Sequence, residues 1–259
     1  MILSEIIEEK RRSIQESKEL LSLEDIKREA SLKKIQRRNF KHAISNQHDV
    51  NIIAEIKRAS PTRGLIRKDF NPAHIAEEYQ INGACAISVL TEQKYFQGKL
   101  EYIKMVKEVS SLPVLRKDFI VDEYQVYESA LAGSDAILLI ADILTKENIR
   151  EFSHLAKSFN MSILCEVHNE EDLEKAISAK ADIIGINNRD LHTFKLSIDT
   201  TQNLMGLVPK GKIVVSESGI RSRSDILFLK SLGINAVLIG EVFMDAEDIG
   251  AKVKEFIGR

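Results

Sequence analysis

Ionisable side chains occur in this chain inside short apolar runs, where a strand buried on both faces should be apolar. Glu55 and Lys57 lie two residues apart in one such run. Lys117 and Glu166 close two other runs. Strand alternation places Glu55 and Lys57 on the same face as Ile53. The two side chains are therefore candidates for chemistry, and a purely structural ion pair is the alternative.

General acid–base catalysis is the chemistry that such a set can perform. Two neighbouring ammonium groups lower each other's pKa, and an adjacent carboxylate opposes that change. We therefore expect Lys57, Lys117 and Glu166 to provide proton donors and acceptors near neutral pH. Asn187, Asn188 and Arg189 follow a further apolar run and extend this candidate site.

A second group of residues favours an anionic ligand. The last two apolar runs end in Ser216-Glu217-Ser218-Gly219-Ile220 and in Ile239-Gly240-Glu241. Glycine lets backbone N–H groups approach a phosphate closely, and a helix N-terminus can assist. Gly219 and Gly240 therefore predict a phosphate site, although tight turns alone would also require them. Ser60 is a candidate for a further hydroxyl donor.

Eight apolar runs, which indicate strands, must position these residues. They begin near Ile52, Ala84, Pro113, Asp135, Met161, Asp182, Ile213 and Asn235. Their mean spacing of about 26 residues suits a strand, a crossover helix and two loops per unit. Eight such units fit a closed barrel better than an open doubly wound sheet, and no Gly-rich dinucleotide fingerprint follows the first run. We predict an α/β fold, a single (β/α)8 TIM barrel with its site at the carboxyl ends of the strands.

Residues 1–47 differ from the rest of the chain. They are dense in Glu, Lys and Arg and contain no strand-like run. We predict an N-terminal helical extension packed on the barrel. No Pro-rich or Ser-rich linker follows it, so residues 1–259 are expected to form one domain. Within the barrel, apolar spacing predicts helices over Pro72–Asn82 and Leu144–Phe159.

Composition excludes several classes of partner. Lys and Arg number 37 and Asp and Glu number 39, a net charge of -2, which argues against nucleic acid and anionic membranes as partners. The two cysteines and the absence of a long apolar stretch predict a cytoplasmic protein. The histidines show no metal-ligand spacing, and His168 lacks a paired Cys, Ser or metal cluster. We expect a phosphorylated small molecule as ligand, no metal, and a monomer or a weak homo-oligomer.

Several segments resemble the indole-3-glycerol-phosphate synthase family, and the resemblance spans essentially the whole chain. The segments are Ile53-Ala54-Glu55-Ile56-Lys57-Arg58-Ala59-Ser60-Pro61, Lys117-Asp118-Phe119, Glu166-Val167-His168, Gly185-Ile186-Asn187-Asn188-Arg189, Ser216-Glu217-Ser218-Gly219-Ile220 and Gly240-Glu241. Lys94-Tyr95-Phe96-Gln97-Gly98 also matches. On general grounds this loop would only pack against the barrel, but the resemblance predicts that it forms the active-site rim.

The resemblance implies a defined reaction. It is the ring closure of 1-(2-carboxyphenylamino)-1-deoxyribulose 5-phosphate to indole-3-glycerol phosphate, with loss of carbon dioxide and water, in tryptophan biosynthesis. It also implies that no cofactor or metal is needed. A carbonyl that gains a bond and a hydroxide that leaves both require a proton, which is consistent with the acid–base set.

The resemblance further implies catalytic roles. Lys117 would be the general acid at the ribulose carbonyl, and Glu166 its partner in the proton transfers of dehydration. Lys57 would pair with the substrate carboxylate, and Glu55 would orient Lys57 and Lys117. Asn187 would hold substrate hydroxyl or reacting groups.

The remaining implied residues bind the substrate. Arg189 would support Glu55 and Asn187 electrostatically, and Glu217 is placed among the binding residues. The implied phosphate ligands are Ser60, Ser218, Gly219, Gly240 and the backbone of Glu241, with Ser218 also counted in the catalytic set. The anthranilate ring would be enclosed by Phe119, Leu138 and Leu191.

One segment departs from the family pattern, and two other functions stay open. The usual Ser-Pro-Ser-Lys-Gly reads Ser60-Pro61-Thr62-Arg63-Gly64 here, which keeps a hydroxyl and a positive charge but changes donor geometry, so loop closure or product release could differ. The alternatives are another phosphate-binding barrel, either an isomerase or a Schiff-base aldolase using Lys57 or Lys117, and a non-catalytic sensor of a phosphoribosyl ligand.

Overall fold

A computed structural model describes residues 2–45 and 50–258 of the chain. Its strands are β1 (Asn51–Ile56), β2 (Ala59–Ser60), β3 (Gly64–Leu65), β4 (Ala86–Leu90), β5 (Val114–Lys117), β6 (Ala136–Ile140), β7 (Ser162–Val167), β8 (Ile183–Asn187), β9 (Ile213–Glu217) and β10 (Ala236–Ile239). All except the β2–β3 hairpin are parallel and close into one barrel, in which β10 pairs with β1. The predicted (β/α)8 barrel is confirmed, and each barrel strand begins within two residues of its predicted start.

Helices separate the barrel strands and also precede them. They are α1 (Ile2–Leu20), α2 (Leu23–Leu32), α3 (Phe40–Ala43), α4 (Pro72–Ile81), α5 (Glu101–Val109), α6 (Glu123–Ala132), α7 (Lys146–Ser158), α8 (Glu170–Ser178), α9 (Asp199–Met205), α10 (Arg223–Ser231), α11 (Glu241–Asp245) and α12 (Ile249–Ile257). The predicted helices at Pro72 and Leu144 appear as α4 and α7. Asn71 and Thr145 cap their first turns by accepting backbone N–H groups.

Strand alternation separates the core into two layers. Ile52, Ala54 and Ile56 of β1 pack outward, in the apolar layer between strands and helices. Ile53 packs inward with the barrel interior. The inward face therefore continues from Ile53 to Glu55, and the predicted placement of these two side chains on one face is confirmed.

The N-terminal segment contacts both ends of the barrel. Leu3 and Ile6 of α1 belong to the same interior apolar cluster as Phe119, which follows β5 at the carboxyl end of the strands. Phe40 of α3 belongs to that cluster as well and is fully buried. Residues 46 and 47, the end of the predicted extension, lie outside the described residues. Within the described ranges, no helix is both long and apolar enough to cross a membrane.

Helix α1 is joined to the loop after β5 by a buried ion pair. Lys10 Nζ lies 2.8 Å from Asp118 Oδ1, and the Asp118 side chain is 1% exposed. Arg116 Nη2 donates to Asp118 Oδ2 at 2.9 Å, and Thr91 Oγ1 donates to the same oxygen at 2.7 Å. Burial raises the pKa of Asp118, but Lys10 and Arg116 outweigh it and lower that pKa to about 2. The residue next to Lys117 is thus an ionised anchor for α1.

We predict that Lys10→Met lowers the free energy of unfolding by about 1–3 kcal/mol, because a buried carboxylate loses a charged donor. Urea denaturation at pH 7 measures the change. Lys18→Met is the matched control on α1, since Lys18 pairs with Asp122 and the two side chains are 26% and 30% exposed. That control should cost less than about 1 kcal/mol. Equal losses in the two variants would contradict the special role of the Lys10–Asp118 pair.

Candidate active site

A single cavity at the carboxyl ends of the barrel strands contains every residue that the sequence nominated. The nominated residues that line it are Glu55, Lys57, Ser60, Lys117, Phe119, Leu138, Glu166, Asn187, Arg189, Leu191, Glu217, Ser218, Gly219, Gly240 and Glu241. They come from seven of the eight barrel strands or from the loops that follow them. The parallel register aligns them, since Asn187 of β8 lies opposite Glu217 of β9.

The charged side chains form a connected cluster in this cavity. Lys57 Nζ lies 2.8 Å from Glu55 Oε1. Lys117 Nζ lies 2.8 Å from Glu166 Oε2 and 3.4 Å from Glu217 Oε2. The carboxylate of Glu166 is 1% exposed, as is that of Glu217. Lys117 is thus held between two buried carboxyl groups, a geometry suited to proton transfer.

The protonation state of Lys117 differs from the expectation drawn from the sequence. Burial acts to lower the pKa of Lys117, but the surrounding carboxylates of Glu166, Glu217 and Glu55 outweigh burial and raise it. The expected depression by a neighbouring ammonium group was therefore wrong for Lys117. Lys57 is paired with Glu55, whereas three carboxyl groups face Lys117. Lys117 is an ammonium ion throughout the neutral range.

The two carboxyl groups beside Lys117 differ in protonation. Burial raises the pKa of Glu166, but Lys117 and His168 outweigh it, so the pKa is well below its ordinary value. Burial also raises the pKa of Glu217, the charges of Glu166 and Glu55 raise it further, and the result is about 8. Neither carboxyl oxygen of Glu217 has a hydrogen-bond partner among the described residues. Near neutrality Glu166 is thus ionised and Glu217 is neutral.

Two glycines leave the space that these carboxyl groups occupy. A Cβ on Gly185 would collide with Glu217 Oε1, and a Cβ on Gly240 would collide with Glu55 Oε1. Gly240 therefore has a packing role in addition to the predicted phosphate role. Gly185 was not nominated as a site residue. Its signal in the sequence is a glycine in the middle of an apolar strand, where glycine often marks a close approach.

The turn after β9 has the backbone shape that the phosphate prediction requires. Ser218 has φ of +65° and Gly219 has φ of +79°. The left-handed region is unfavourable for serine, so the surrounding structure must maintain it. Successive backbone N–H groups in a turn can line a concave surface that suits an anion. The turn lies in the cavity wall with Ser60 and Gly240.

Asn188 holds this strained turn, although the sequence assigned it no role of its own beside Asn187 and Arg189. Its Nδ2 donates to Ser218 O at 3.0 Å and to Ser216 Oγ at 3.0 Å. Its Oδ1 accepts from the backbone N–H of Thr201 at 3.1 Å and from Thr201 Oγ1 at 2.8 Å. All side-chain donors and acceptors of Asn188 are used in a buried network, which fixes the carbonyl of the left-handed residue.

Apolar side chains form one wall of the cavity. Phe119 and Leu138 are nearly fully buried, and Leu191 is partly buried beside them. Phe96 lies against Phe119, with ring centroids 6.2 Å apart, and lines the cavity as well. Glu92 shapes the loop that carries Phe96, because its carboxylate accepts three backbone N–H groups of residues 94–96. The Tyr95–Gly98 loop thus reaches the cavity through Phe96.

Arg63 and Arg189 converge on one acid at the cavity rim. Arg63 Nη1 lies 2.9 Å from Glu241 Oε1, and Arg189 Nη2 lies 3.6 Å from Glu241 Oε2. The backbone N–H of Arg189 donates to Asn187 Oδ1 at 3.0 Å. Within the described part of the chain, Arg189 forms no ion pair with Glu55. Its support of Asn187 thus has a direct contact, whereas its support of Glu55 stays a prediction.

Comparison with known proteins gives one consistent result. A family model described as indole-3-glycerol phosphate synthase matches residues 3–256 of the chain. A protein of that name from Clostridium acetobutylicum is 50% identical over 257 residues, covering 99% of this chain and 97% of that protein. One from Campylobacter fetus is 46% identical over 266 aligned positions, covering 100% of both chains. The chain belongs to the indole-3-glycerol phosphate synthase family.

Solved structures with low sequence identity show the same fold. The 3-hexulose-6-phosphate synthase from Salmonella typhimurium has a TM-score of 0.65 and 15% identity, covering 80% of this chain and 96% of that chain. Membership in the indole-3-glycerol phosphate synthase family confirms an enzyme of the carboxy-lyase class that acts in tryptophan biosynthesis. It decides against the aldolase, isomerase and sensor alternatives.

The chain departs from the family pattern at Arg63, and the structure shows what the arginine contacts. Besides Glu241, it reaches Asp245, with Nη2 to Oδ2 at 3.3 Å. One planar guanidinium group thus contacts two carboxylates of α11 at once, which a lysine ammonium matches less well. The β2–β3 hairpin is thereby connected to α11.

We predict that Asn188→Ala raises KM for the synthase substrate about tenfold or more, while kcat changes less. The reason is that Ser218 O and Thr201 lose buried hydrogen bonds worth about 1–3 kcal/mol, and the left-handed turn relaxes. Steady-state kinetics measures both constants. Asn203→Ala, at an exposed position of α9, is the matched control. A kcat loss at unchanged KM would contradict the role assigned to Asn188.

We predict that the free energy of unfolding of the parent falls between pH 5 and pH 9, and that Glu217→Gln removes part of this fall. The folded protein keeps Glu217 protonated up to a pKa of about 8, whereas the unfolded chain releases that proton near 4.5. The folded state therefore binds more protons in this interval, so the free energy of unfolding falls as pH rises. Urea denaturation at pH 5, 7 and 9 measures the slope. Parallel slopes in parent and variant would show that Glu217 titrates normally.

Proposed function

We propose that this chain closes the indole ring of 1-(2-carboxyphenylamino)-1-deoxyribulose 5-phosphate by acid–base catalysis centred on Lys117 and Glu166. The products are indole-3-glycerol phosphate, carbon dioxide and water. The observation that carries this proposal is the position of the Lys117 ammonium group, 2.8 Å from Glu166 and 3.4 Å from Glu217, inside the cavity. The turn at Ser218 and Gly219 is suited to bind the phosphate group of this substrate.

Bond formation is the first step. The ring carbon that bears the substrate carboxylate attacks the ribulose carbonyl carbon, and the carbonyl oxygen takes a proton from Lys117. Lys117 is suited to this role because it is protonated and almost fully enclosed, which strengthens its interaction with developing negative charge. Lys57 pairs with the substrate carboxylate, and Glu55 orients Lys57 through their 2.8 Å contact.

Decarboxylation and dehydration complete the reaction. The electrons of the bond to the departing carbon dioxide return to the ring, which restores its aromaticity. The hydroxyl group formed in the first step then leaves as water with one proton, while a base removes another proton to form the indole double bond. Glu166 is suited to be that base because Lys117 and His168 keep it ionised. Lys117, in contact with Glu166, can exchange protons with it between the two steps.

Glu217 and Asn187 assist the reacting groups. A neutral Glu217 carboxyl group can donate a hydrogen bond to a substrate hydroxyl group, which an ionised carboxylate cannot do. Asn187 Nδ2 donates to Glu166 Oε1 at 3.0 Å and thereby fixes one oxygen of the proposed base. Asn187 would also hold a substrate hydroxyl group. Arg189 supports Asn187 through its backbone N–H.

Two groups of cavity residues bind the two ends of the substrate. We assign the phosphate to Ser60, Ser218, Gly219, Gly240 and the backbone of Glu241. We assign the anthranilate ring to the wall formed by Phe119, Leu138 and Leu191. The one-domain organisation, the cytoplasmic location and the monomeric state, with a weak homo-oligomer as alternative, stay predictions.

The test adds purified protein to the carboxyphenylamino-deoxyribulose phosphate and follows indole fluorescence. We expect turnover by the parent and a loss of at least about 100-fold in Lys117→Ala and in Glu166→Gln, since general acid–base groups contribute about 10²–10⁴. Lys146→Ala, an exposed lysine at the start of α7, is the control and should match the parent.

A second arm excludes covalent catalysis. Treatment with borohydride in the presence of substrate should leave no reduced adduct on Lys57 or Lys117, because Schiff-base formation requires a neutral amine and Lys117 is held protonated. A folded parent that binds substrate without turnover would overturn the proposed activity. Retained turnover in either variant would overturn the role of that residue.

A further inference from the structure

A second ionisable pair, His168 and Asp172, lies next to Glu166, the proposed base. His168 follows β7, and its ring lies between Glu166 and Asp172 of α8. Nε2 is 3.2 Å from Glu166 Oε1, and Nδ1 is 3.5 Å from Asp172 Oδ2. The His168 side chain is 9% exposed and is not part of the cavity wall. His168 therefore contacts the base from the side that substrate does not reach.

The first turn of α8 holds Asp172 in place. Asp172 Oδ2 accepts the backbone N–H of His168 at 3.2 Å. Asn169 caps the helix by accepting the backbone N–H of Asp172 at 2.9 Å. The carboxylate that faces the His168 ring is thus fixed by the same turn that carries His168. The ring position is a consequence of local helix geometry and does not depend on substrate.

The charges around His168 favour the imidazolium form. Glu166 and Asp172 face its two nitrogens at ion-pair distance. Both nitrogens are shielded from solvent, and neither forms a hydrogen bond with the described residues, so the interaction with the two carboxylates is one between charges. Lys175 of α8 lies beyond Asp172, with Nζ 3.6 Å from Asp172 Oδ1. Lys117 lies beyond Glu166 and contacts its other oxygen, whereas Glu217 is neutral near pH 7. Two carboxylates thus face the ring directly, and the nearest cations lie behind them.

We propose that His168 is a positioning residue: as an imidazolium ion clamped by Asp172, it keeps Glu166 ionised and fixes the orientation of its carboxylate. This inference rests on the proposed role of Glu166 as the base. Oε1 of Glu166 faces His168 and accepts from Asn187, and Oε2 faces Lys117. Three partners therefore determine how the Glu166 carboxylate is rotated. Of these three, Lys117 and Asn187 line the cavity and His168 does not.

The titration of His168 agrees with this geometry. Burial acts to lower the pKa of His168, but Asp172 and Glu166 outweigh burial and raise that pKa to about 10. The imidazolium ion therefore persists across the neutral range. A neutral ring would remove a positive charge from beside Glu166, and the pKa of Glu166 would rise.

The test compares His168→Gln with His154→Gln, whose histidine is exposed on α7. Because His168 does not touch substrate, we expect kcat of His168→Gln to fall about tenfold with KM unchanged. The acid limb of the kcat profile should also move to higher pH by about one unit, since Glu166 loses a cationic neighbour. His154→Gln should match the parent in both respects. A loss of folded protein alone would not move the acid limb.

Asp172→Asn tests the clamp while keeping the histidine. In this variant the pKa of His168 should fall, so its activity relative to the parent should be close to one at pH 6 and decrease towards pH 8.5. The decrease should follow the deprotonation of His168, measured by the ¹⁵N chemical shifts of the ring. An activity ratio that does not change with pH would contradict the clamp.

A spectroscopic arm separates this inference from the proposed activity. The ¹⁵N signals of His168, assigned by their absence in His168→Gln, should remain those of imidazolium in the parent up to pH 8. The ¹³C signal of the Glu166 carboxyl should titrate at higher pH in His168→Gln than in the parent. A neutral His168 at pH 7 in the parent would overturn the inference, whatever the activity of the variants. Absent turnover with these titrations intact would overturn only the reaction.

Discussion

The enclosure of three carboxyl groups around one ammonium group is the constraint on which the rest of the site depends. Glu55, Glu166 and Glu217 all face Lys117 inside the barrel. Ionising all three in a poorly solvated space would be costly, because burial disfavours charge unless a partner compensates it. Lys57 neutralises Glu55, and Lys117 neutralises Glu166. The third carboxyl group, on Glu217, stays neutral, and the site therefore contains an acid, a base and an uncharged donor.

The fold maintains this arrangement by holding the strands and the helix next to these charged groups in fixed positions. The strands supply the positions, since adjacent parallel strands place Glu166 opposite Gly185 and Asn187 opposite Glu217. The N-terminal helix covers the same end of the barrel and is held by Lys10 at Asp118, one residue from Lys117. Rigid support of this kind keeps catalytic groups preorganised, so little reorganisation is needed when charge moves in the reaction.

The sequence was sufficient to predict the fold and many of the residues that line the cavity. Apolar runs at regular spacing located the eight barrel strands, because short runs rich in β-branched residues between longer amphipathic segments are typical of buried strands. Charges and glycines at the ends of those runs marked the site, because parallel strands bring their carboxyl ends together. The role of Asn188 was not predicted, because a buried asparagine that braces a turn has no distinguishing spacing. His168 was discounted because the expected partners were Cys, Ser or metal, and its actual partner, Asp172, lies one helical turn away.

The sequence by itself determined which side chains share a face of each strand and which lie at the strand ends, since both depend only on the order of side chains along the chain. It did not determine their charge states. The pKa of Lys117 depends on three carboxyl groups from β1, β7 and β9, which come together only when the barrel closes. Closure of the barrel also makes Glu166 ionised and Glu217 neutral. The reason is that electrostatic interactions depend on distance and burial in space, which the local sequence does not determine.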